Sequence, residues 1–308
     1  MKATAHAHPV QTWIGPLPLA TPGAHIPFLG SISVCTAPLE TMVTVEFQEE
    51  REARDIIFEG RAVTRKVRRG VDAVISHVKR LSGIESECSV LGKSNLPMDT
   101  TLDEPSFIAA VAAASAEACG LDLSHKELSR IASKGSESAP GAVVGWVSKW
   151  TAGLQEEFSH SVVIEEELEI GMVRVFVDLF MSDFEIAKSP LAEARLKTCR
   201  TGVIEMERAI RNHDIEGIGE LAEKDSLLLH AAAAGSDQVL WSPDVLRVLR
   251  EVTVLREEGV TAYFNADWIG LYINSYPEDR ETIEQRIRDM GVETCSLHVG
   301  RNARLLKD

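Results

Sequence analysis

With 308 residues, 44% of them hydrophobic and 26% charged, the chain can bury one large core or two moderate ones, which excludes disordered, collagen-like and coiled-coil classes. Forty-seven acidic against 32 basic side chains leave a formal charge of −15, a field that repels nucleic-acid phosphate and anionic lipid alike. No stretch approaches the roughly 20 continuous apolar residues of a spanning helix, and the N-terminus lacks the basic-then-apolar order of a secretion signal. The expectation is a soluble, cytoplasmic protein with no nucleic-acid and no membrane partner. Cys35, Cys88, Cys119, Cys199 and Cys295 are scattered without paired spacing, so reduced and mostly buried thiols are predicted.

Taken in chain order, Pro9, Pro16, Pro18, Pro22 and Pro27 break the first forty residues into an extended strand and a rigid loop, and Ser31–Thr36 begins a strand. Thr41–Phe47 alternates as a half-buried strand, and Ala53–Glu59 does so more weakly before a turn at Glu59-Gly60-Arg61. Over Ala62–Leu81, Val67, Val71, Val74, Ile75 and Val78 recur at helical spacing with basic residues between them, which predicts an amphipathic helix with a basic outer face. Glu87–Leu91 reads as a short strand, ended by Ser94-Asn95-Leu96-Pro97. A polar loop, Met98–Asp103, follows. Ser106–Cys119 holds seven alanines and stops at Gly120, a helix packed on most sides. Ser124 and Glu127 form a capping box for a second helix ending near Gly135.

A turn through Ser136-Glu137-Ser138-Ala139-Pro140-Gly141 leads into Ala142–Trp150. After the acidic run Glu165–Glu167, read as a solvated edge, Met172–Phe180 is nearly all apolar and predicts a central strand. Helices are predicted over Leu191–Asn212, Ile215–His230, Asp244–Glu258 and Pro277–Met290, and strands over Thr261–Phe264, Gly270–Asn274 and Glu293–Val299. The order is that of an α+β protein of two lobes, divided into 1–170 and 171–308.

Three segments together resemble the GHMP small-molecule kinase superfamily, and within it the mevalonate-phosphate decarboxylases. Ser94-Asn95-Leu96-Pro97 before an alanine-rich helix is similar to the segment that carries the family's phosphate loop. Ser129–Ala139 is similar to its following helix and serine-rich turn. Asp225-Ser226 with His230, then Val260–Asp267, resemble the C-terminal lobe, where a strand ends in an aspartate. Ala7-His8-Pro9-Val10-Gln11 and Ser31–Pro38 look like the archaeal type, which acts on mevalonate 5-phosphate. The resemblance implies a two-lobed GHMP kinase-like fold, and a reaction in which a tertiary 3-hydroxyl is phosphorylated by ATP before phosphate and carbon dioxide leave. It implies that Asp267 is the catalytic carboxylate, since a carboxylate at a strand end can accept a hydrogen bond from the reacting hydroxyl. A turn aspartate capping the strand is the plainer alternative. The superfamily is commonly dimeric, so a homodimer is the expectation by resemblance.

The sequence departs from that family where the triphosphate binds. The loop Met98–Ser106 has no glycine and carries Asp99, Asp103 and Glu104 at the helix start, occupying with carboxylates the positive helix end that a phosphate would otherwise use. Asp103 also suits a helix N-cap, with Pro105 in the first turn. The family's substrate-gripping arginine aligns with Gly141, its lysine-tyrosine pair falls near Gly15-Pro16, and Trp268-Ile269 replace small residues after Asp267. Candidate substrate-binding residues are therefore Ser33, Asn95, Ser136, Ser138, Lys188 and Arg195, the last two as cations for a phosphate or as a solvated face. His6 and His8 read as structural rather than as metal ligands, and no metal is expected.

The first expectation is a decarboxylase of a small phosphorylated hydroxy acid, ATP-independent, acting on a substrate such as mevalonate 3,5-bisphosphate to give isopentenyl phosphate. No cofactor is expected in that case. MgATP enters only under the alternative, an ATP-dependent phosphomevalonate or diphosphomevalonate decarboxylase with a diverged loop. A catalytically inactive or repurposed paralogue is the third reading.

Overall fold

A computed structural model describes residues 1–15, 30–49, 53–97, 104–151, 159–178, 189–267 and 270–306. Pro9, with no amide to give to a ladder, splits the opening extended run into β1 (Lys2–Ala7) and β2 (Val10–Ile14). The two halves join different sheets. β1 pairs antiparallel with β4 (Thr41–Gln48), and β4 with β7 (Glu87–Ser94). β5 (Asp55–Phe58) lies parallel to β7 and folds back onto β6 (Arg61–Ala62). The turn between them holds Glu59 and Gly60 at φ of 50° and 76°, the left-handed backbone that a two-residue hairpin requires. With β14 (Arg304–Leu306) beside β1, the first sheet runs β14-β1-β4-β7-β5-β6.

The second sheet contains β3 (Ser31–Ala37), β8 (Val147–Thr151), β9 (His160–Glu165), β10 (Gly171–Phe176), β11 (Tyr263–Ala266), β12 (Leu271–Ser275) and β13 (Glu293–Val299). Its order is β11-β12-β10-β13-β3-β8-β9, with β2 also paired to β3. β10 is central and buried on both faces: Met172 packs toward one apolar cluster, Val173 and Val175 toward another. That two-sided burial explains the unbroken apolar run in the sequence.

The helices α1 (Arg65–Ser82), α2 (Glu104–Ala118), α3 (His125–Ser133) and α4 (Ala139–Val144) share one core with the first sheet. α1 starts later than the periodicity predicts because Thr64 caps it, accepting the Val67 amide. The predicted capping box at Ser124 and Glu127 is formed. On the second sheet, α5 (Ala192–Arg211) and α6 (Ile215–Ala234) cover one face. α7 (Pro243–Glu257) and α8 (Arg280–Asp289) cover the other.

β8, β9, α4 and β14 were not evident in the sequence. The run 142–150 shows neither helical nor alternating periodicity, because it is half helix and half strand. Gly145 and Trp146, at φ of 74° and 57°, make the change of direction between α4 and β8. A Cβ at Gly145 would overlap the backbone of Arg301 and Asn302, so this corner tolerates only glycine. Among the described residues no helix is long and apolar enough to cross a membrane.

Candidate active site

β11 is an edge strand, and Asp267 follows its last residue. The carboxylate is 5% exposed. Its Oδ2 accepts the Thr12 amide at 2.8 Å and its Oδ1 the Gly270 amide at 2.9 Å, while the Asp267 amide donates to the Gly270 carbonyl at 3.0 Å. Two N–H dipoles thus stabilise a negative charge at this position. Thr12 lies where β2 slips register against β3, a bulge that turns its amide toward the aspartate instead of a strand partner.

Among the described residues the outer edge of β11 has no neighbouring strand, and α6 supplies hydrogen-bond partners there. Glu223, Ser226 and His230, at i, i+3 and i+7, line one face of the helix. Glu223 accepts the Phe264 amide at 3.1 Å. The Ser226 hydroxyl accepts the Ala266 amide and donates to the Ala266 carbonyl, both at 3.0 Å. His230 Nε2 meets the same carbonyl at 3.1 Å. Gly219 allows this closeness, since a Cβ there would overlap the Tyr263 ring.

Burial, and then the Arg195 charge, push the His230 imidazole down from 6.5 to about 4, against the opposing pull of the Ala266 carbonyl. Because the folded value lies below the unfolded one, this histidine's contribution to stability is complete above about pH 6.5 and declines as pH falls toward 4. The shift corresponds to about 3 kcal/mol. A His230→Phe variant is therefore expected to lose part of the parent's acid sensitivity between pH 6.5 and 4 in denaturant titrations. Equal pH slopes for the two proteins would contradict the assignment.

Beside β2, Arg195 is 1% exposed. Its Nη2 donates to Asp225 Oδ2 at 2.9 Å and to the Gly15 carbonyl at 3.2 Å. Asp225 also accepts the Gly15 amide at 3.1 Å and the Cys199 thiol at 3.1 Å. Burial and the Asp225 charge push that thiol up to about 12, so it remains a donor. Arg195 Nε and Nη1 are buried without a hydrogen-bond partner. Both carboxylates, Asp225 and Asp267, thus take amides from β2 and tie it to the C-terminal half.

On the other side of β2, Ser33 is the register partner of Thr12. Its hydroxyl lies 3.4 Å from that of Ser148, and a Cβ at Gly141 would sit 2.6 Å from Ser33 Oγ. No larger residue fits at 141 without moving β3. Ser136 is buried and Ser138 stands at the N-cap position of α4 without a side-chain cap bond. Between them Glu137 is open to solvent yet densely surrounded by protein. That enclosure, opposed by Lys66 and reinforced by Glu104, pushes its carboxyl up. Glu104 lies in the first turn of α2 and pairs with Lys66 at 3.2 Å.

Asn95 lies apart from this group, its amide bound to the Glu40 N–H at 2.7 Å and the Pro38 carbonyl at 2.9 Å, stapling the turn between β3 and β4. His8 Nδ1 donates to the Leu39 carbonyl at 2.8 Å, and His6 bridges Glu40 and Arg304 at 2.9 and 2.7 Å. Among the described residues no three metal-ligating side chains converge. Lys188, the loop 98–103 and Trp268-Ile269 lie outside the described residues.

The chain is 33% identical, over all of its length and 98% of the relative's, to the phosphomevalonate decarboxylase of Haloferax volcanii. It belongs to the mevalonate-phosphate decarboxylase family. The model of a diphosphomevalonate decarboxylase-like N-terminal domain matches residues 21–162. The fold is that of the mevalonate diphosphate decarboxylase of Enterococcus faecalis, at a TM-score of 0.91 and 23% identity over 100% of this chain and 99% of that one. Mevalonate-3-kinase of Thermoplasma acidophilum, solved with mevalonate 3-phosphate and ADP, shares it at 0.82 and 18%, over 99% and 98%. The two-lobed, GHMP kinase-like α+β architecture expected from the sequence is thereby established.

Within this family member, sequence reasoning assigned no role to Thr12, Gly270, Glu223 or Glu137, and used Ser226 and His230 only for the resemblance. Thr12 and Gly270 act through backbone amides and leave no side-chain signal. The 223/226/230 stripe was available as helical spacing, and Glu137 as the one charged residue in a serine-rich turn.

Proposed function

We propose that the protein decarboxylates a mevalonate phosphate whose 3-oxygen already carries phosphate, such as mevalonate 3,5-bisphosphate, without ATP. The observation that carries this reading is the acidic character of the triphosphate end. Glu104 begins α2, Glu137 stands in the serine-rich turn with its carboxyl raised by enclosure, and no glycine occurs in 98–106. A triphosphate needs close-lying amides and cations there. Those residues do not fit it.

With phosphate already in place, the C3–O bond breaks and phosphate leaves with the electron pair. The C1–C2 bonding pair becomes the C2=C3 double bond, and carbon dioxide departs. The products are isopentenyl phosphate, carbon dioxide and inorganic phosphate. Asp267, whose oxygens accept the Thr12 and Gly270 amides, stabilises positive charge developing at C3. Ser136 and Ser138 offer hydroxyls, and Lys188 and Arg195 cations, to the substrate's anionic groups. Gly141, which the resemblance aligns with the family arginine, offers no side chain and has Ser33 Oγ close by, so the carboxylate is gripped less tightly before it is lost.

The alternative is an ATP-dependent reaction; the name of the Haloferax relative favours mevalonate 5-phosphate as its substrate. Product analysis by mass spectrometry decides between them, using mevalonate 5-phosphate and mevalonate 3,5-bisphosphate, each with and without MgATP. Isopentenyl phosphate from the bisphosphate without ATP is the expected result. Turnover only where MgATP is present would overturn it.

A further inference from the structure

We propose that His230 is a positioning residue for Asp267, acting through the Ala266 carbonyl. The inference rests on the reading that Asp267 carries the chemistry. The end of β11 is where a carboxylate would be least well held: the strand register ends at Ala266, past which one Asp267–Gly270 backbone bond closes the turn, and among the described residues the strand has a neighbour on one side only. α6 substitutes for the missing strand with side chains. Ser226 takes both the amide and the carbonyl of Ala266, and His230 adds a second donor to that carbonyl.

A carbonyl oxygen only accepts, so the bond fixes the imidazole tautomer with its proton on Nε2. Nδ1 is buried with no partner, which leaves Ala266 as the single hydrogen-bond destination of the ring. The ring is further held against Trp241, centroids 4.6 Å apart and planes tilted by 41°. Ala266 is therefore gripped from α6 while the next residue's carboxylate is gripped from β2 by Thr12. The other carboxylate oxygen takes the Gly270 amide, so Thr12 and Gly270 hold the two oxygens while α6 holds the backbone that carries them. A loosened Ala266 would shift that backbone against both amide bonds, a displacement that alters alignment with the reacting carbon more than substrate affinity.

The test compares His230→Phe, His230→Gln and Asp267→Asn in whichever mevalonate phosphate and MgATP condition the wild type turns over. Phenylalanine keeps the stack on Trp241 and removes the donor, whereas glutamine restores an N–H at the reach of Nε2. His230→Phe is expected to lower kcat about 100-fold with KM changed less than about threefold. His230→Gln should recover most of that kcat. Wild-type kcat in His230→Phe beside an inactive Asp267→Asn would overturn the proposal alone. So would a loss in His230→Phe that glutamine does not repair, since that marks a packing role. Full activity in Asp267→Asn would instead remove the underlying reading of the aspartate.

Discussion

Asp267→Asn is expected to lower kcat by on the order of 10²–10³-fold and to lower the melting temperature as well. The loss of rate follows from the lost charge under the proposed mechanism, with or without ATP, because that mechanism develops positive character beside this side chain. The loss of stability follows from the hydrogen bonds. Both carboxylate oxygens accept backbone amides, from Thr12 and from Gly270. An asparagine has one oxygen to offer, so either orientation of its amide turns an NH₂ toward a buried N–H. A buried donor left without an acceptor costs about 1–3 kcal/mol. Asp267→Ala, which removes both acceptors without inserting a donor, distinguishes the two effects: equal inactivity with a different melting temperature is expected. An Asp267→Asn variant as stable as the parent would show that the paired amides do not hold the carboxylate as described.

The sequence revealed elements with strong periodicity and concealed those built by exception. α1, with valines at helical spacing, and α2, with its alanine run, were legible because burial repeats along them. So was β10, whose unbroken apolar character reports two covered faces. α4 and β8 were not legible because a corner at Gly145 and Trp146 interrupts an apolar run whose two halves obey different periods. At the site, resemblance located Asp267, and the residues support that placement only at the level of a carboxylate after a strand. What holds it could not be read, because two of the groups are backbone amides brought in from residues 12 and 270. Arg195 was read as a cation for phosphate or a solvated face. It is buried, and half of its guanidinium is committed to Asp225 and Gly15.

That half-commitment leads to the largest expected effect on stability. Arg195→Met removes the cation from a pair whose side chains are 1% and 11% exposed. Breaking a buried pair from one side leaves the other charge uncompensated, at about 3–5 kcal/mol. Asp225 would retain only the Gly15 amide and the Cys199 thiol, and the Gly15 carbonyl would lose its contact with Arg195. Arg195→Met/Asp225→Leu is expected to recover a substantial part of that loss, because the uncompensated charge goes with it. A double variant no more stable than Arg195→Met would contradict an ion-pair origin. Arg195→Lys separates structure from substrate binding. Lysine keeps a cation for Asp225 but gives up the planar fork, and with it Nε and Nη1, the two buried nitrogens that lack a partner. If those nitrogens take a phosphate or carboxylate of the substrate, Arg195→Lys stays near the parent's melting temperature while KM rises about tenfold or more. A KM equal to the parent's, in a variant that melts with it, would confine Arg195 to holding Gly15 and the end of β2.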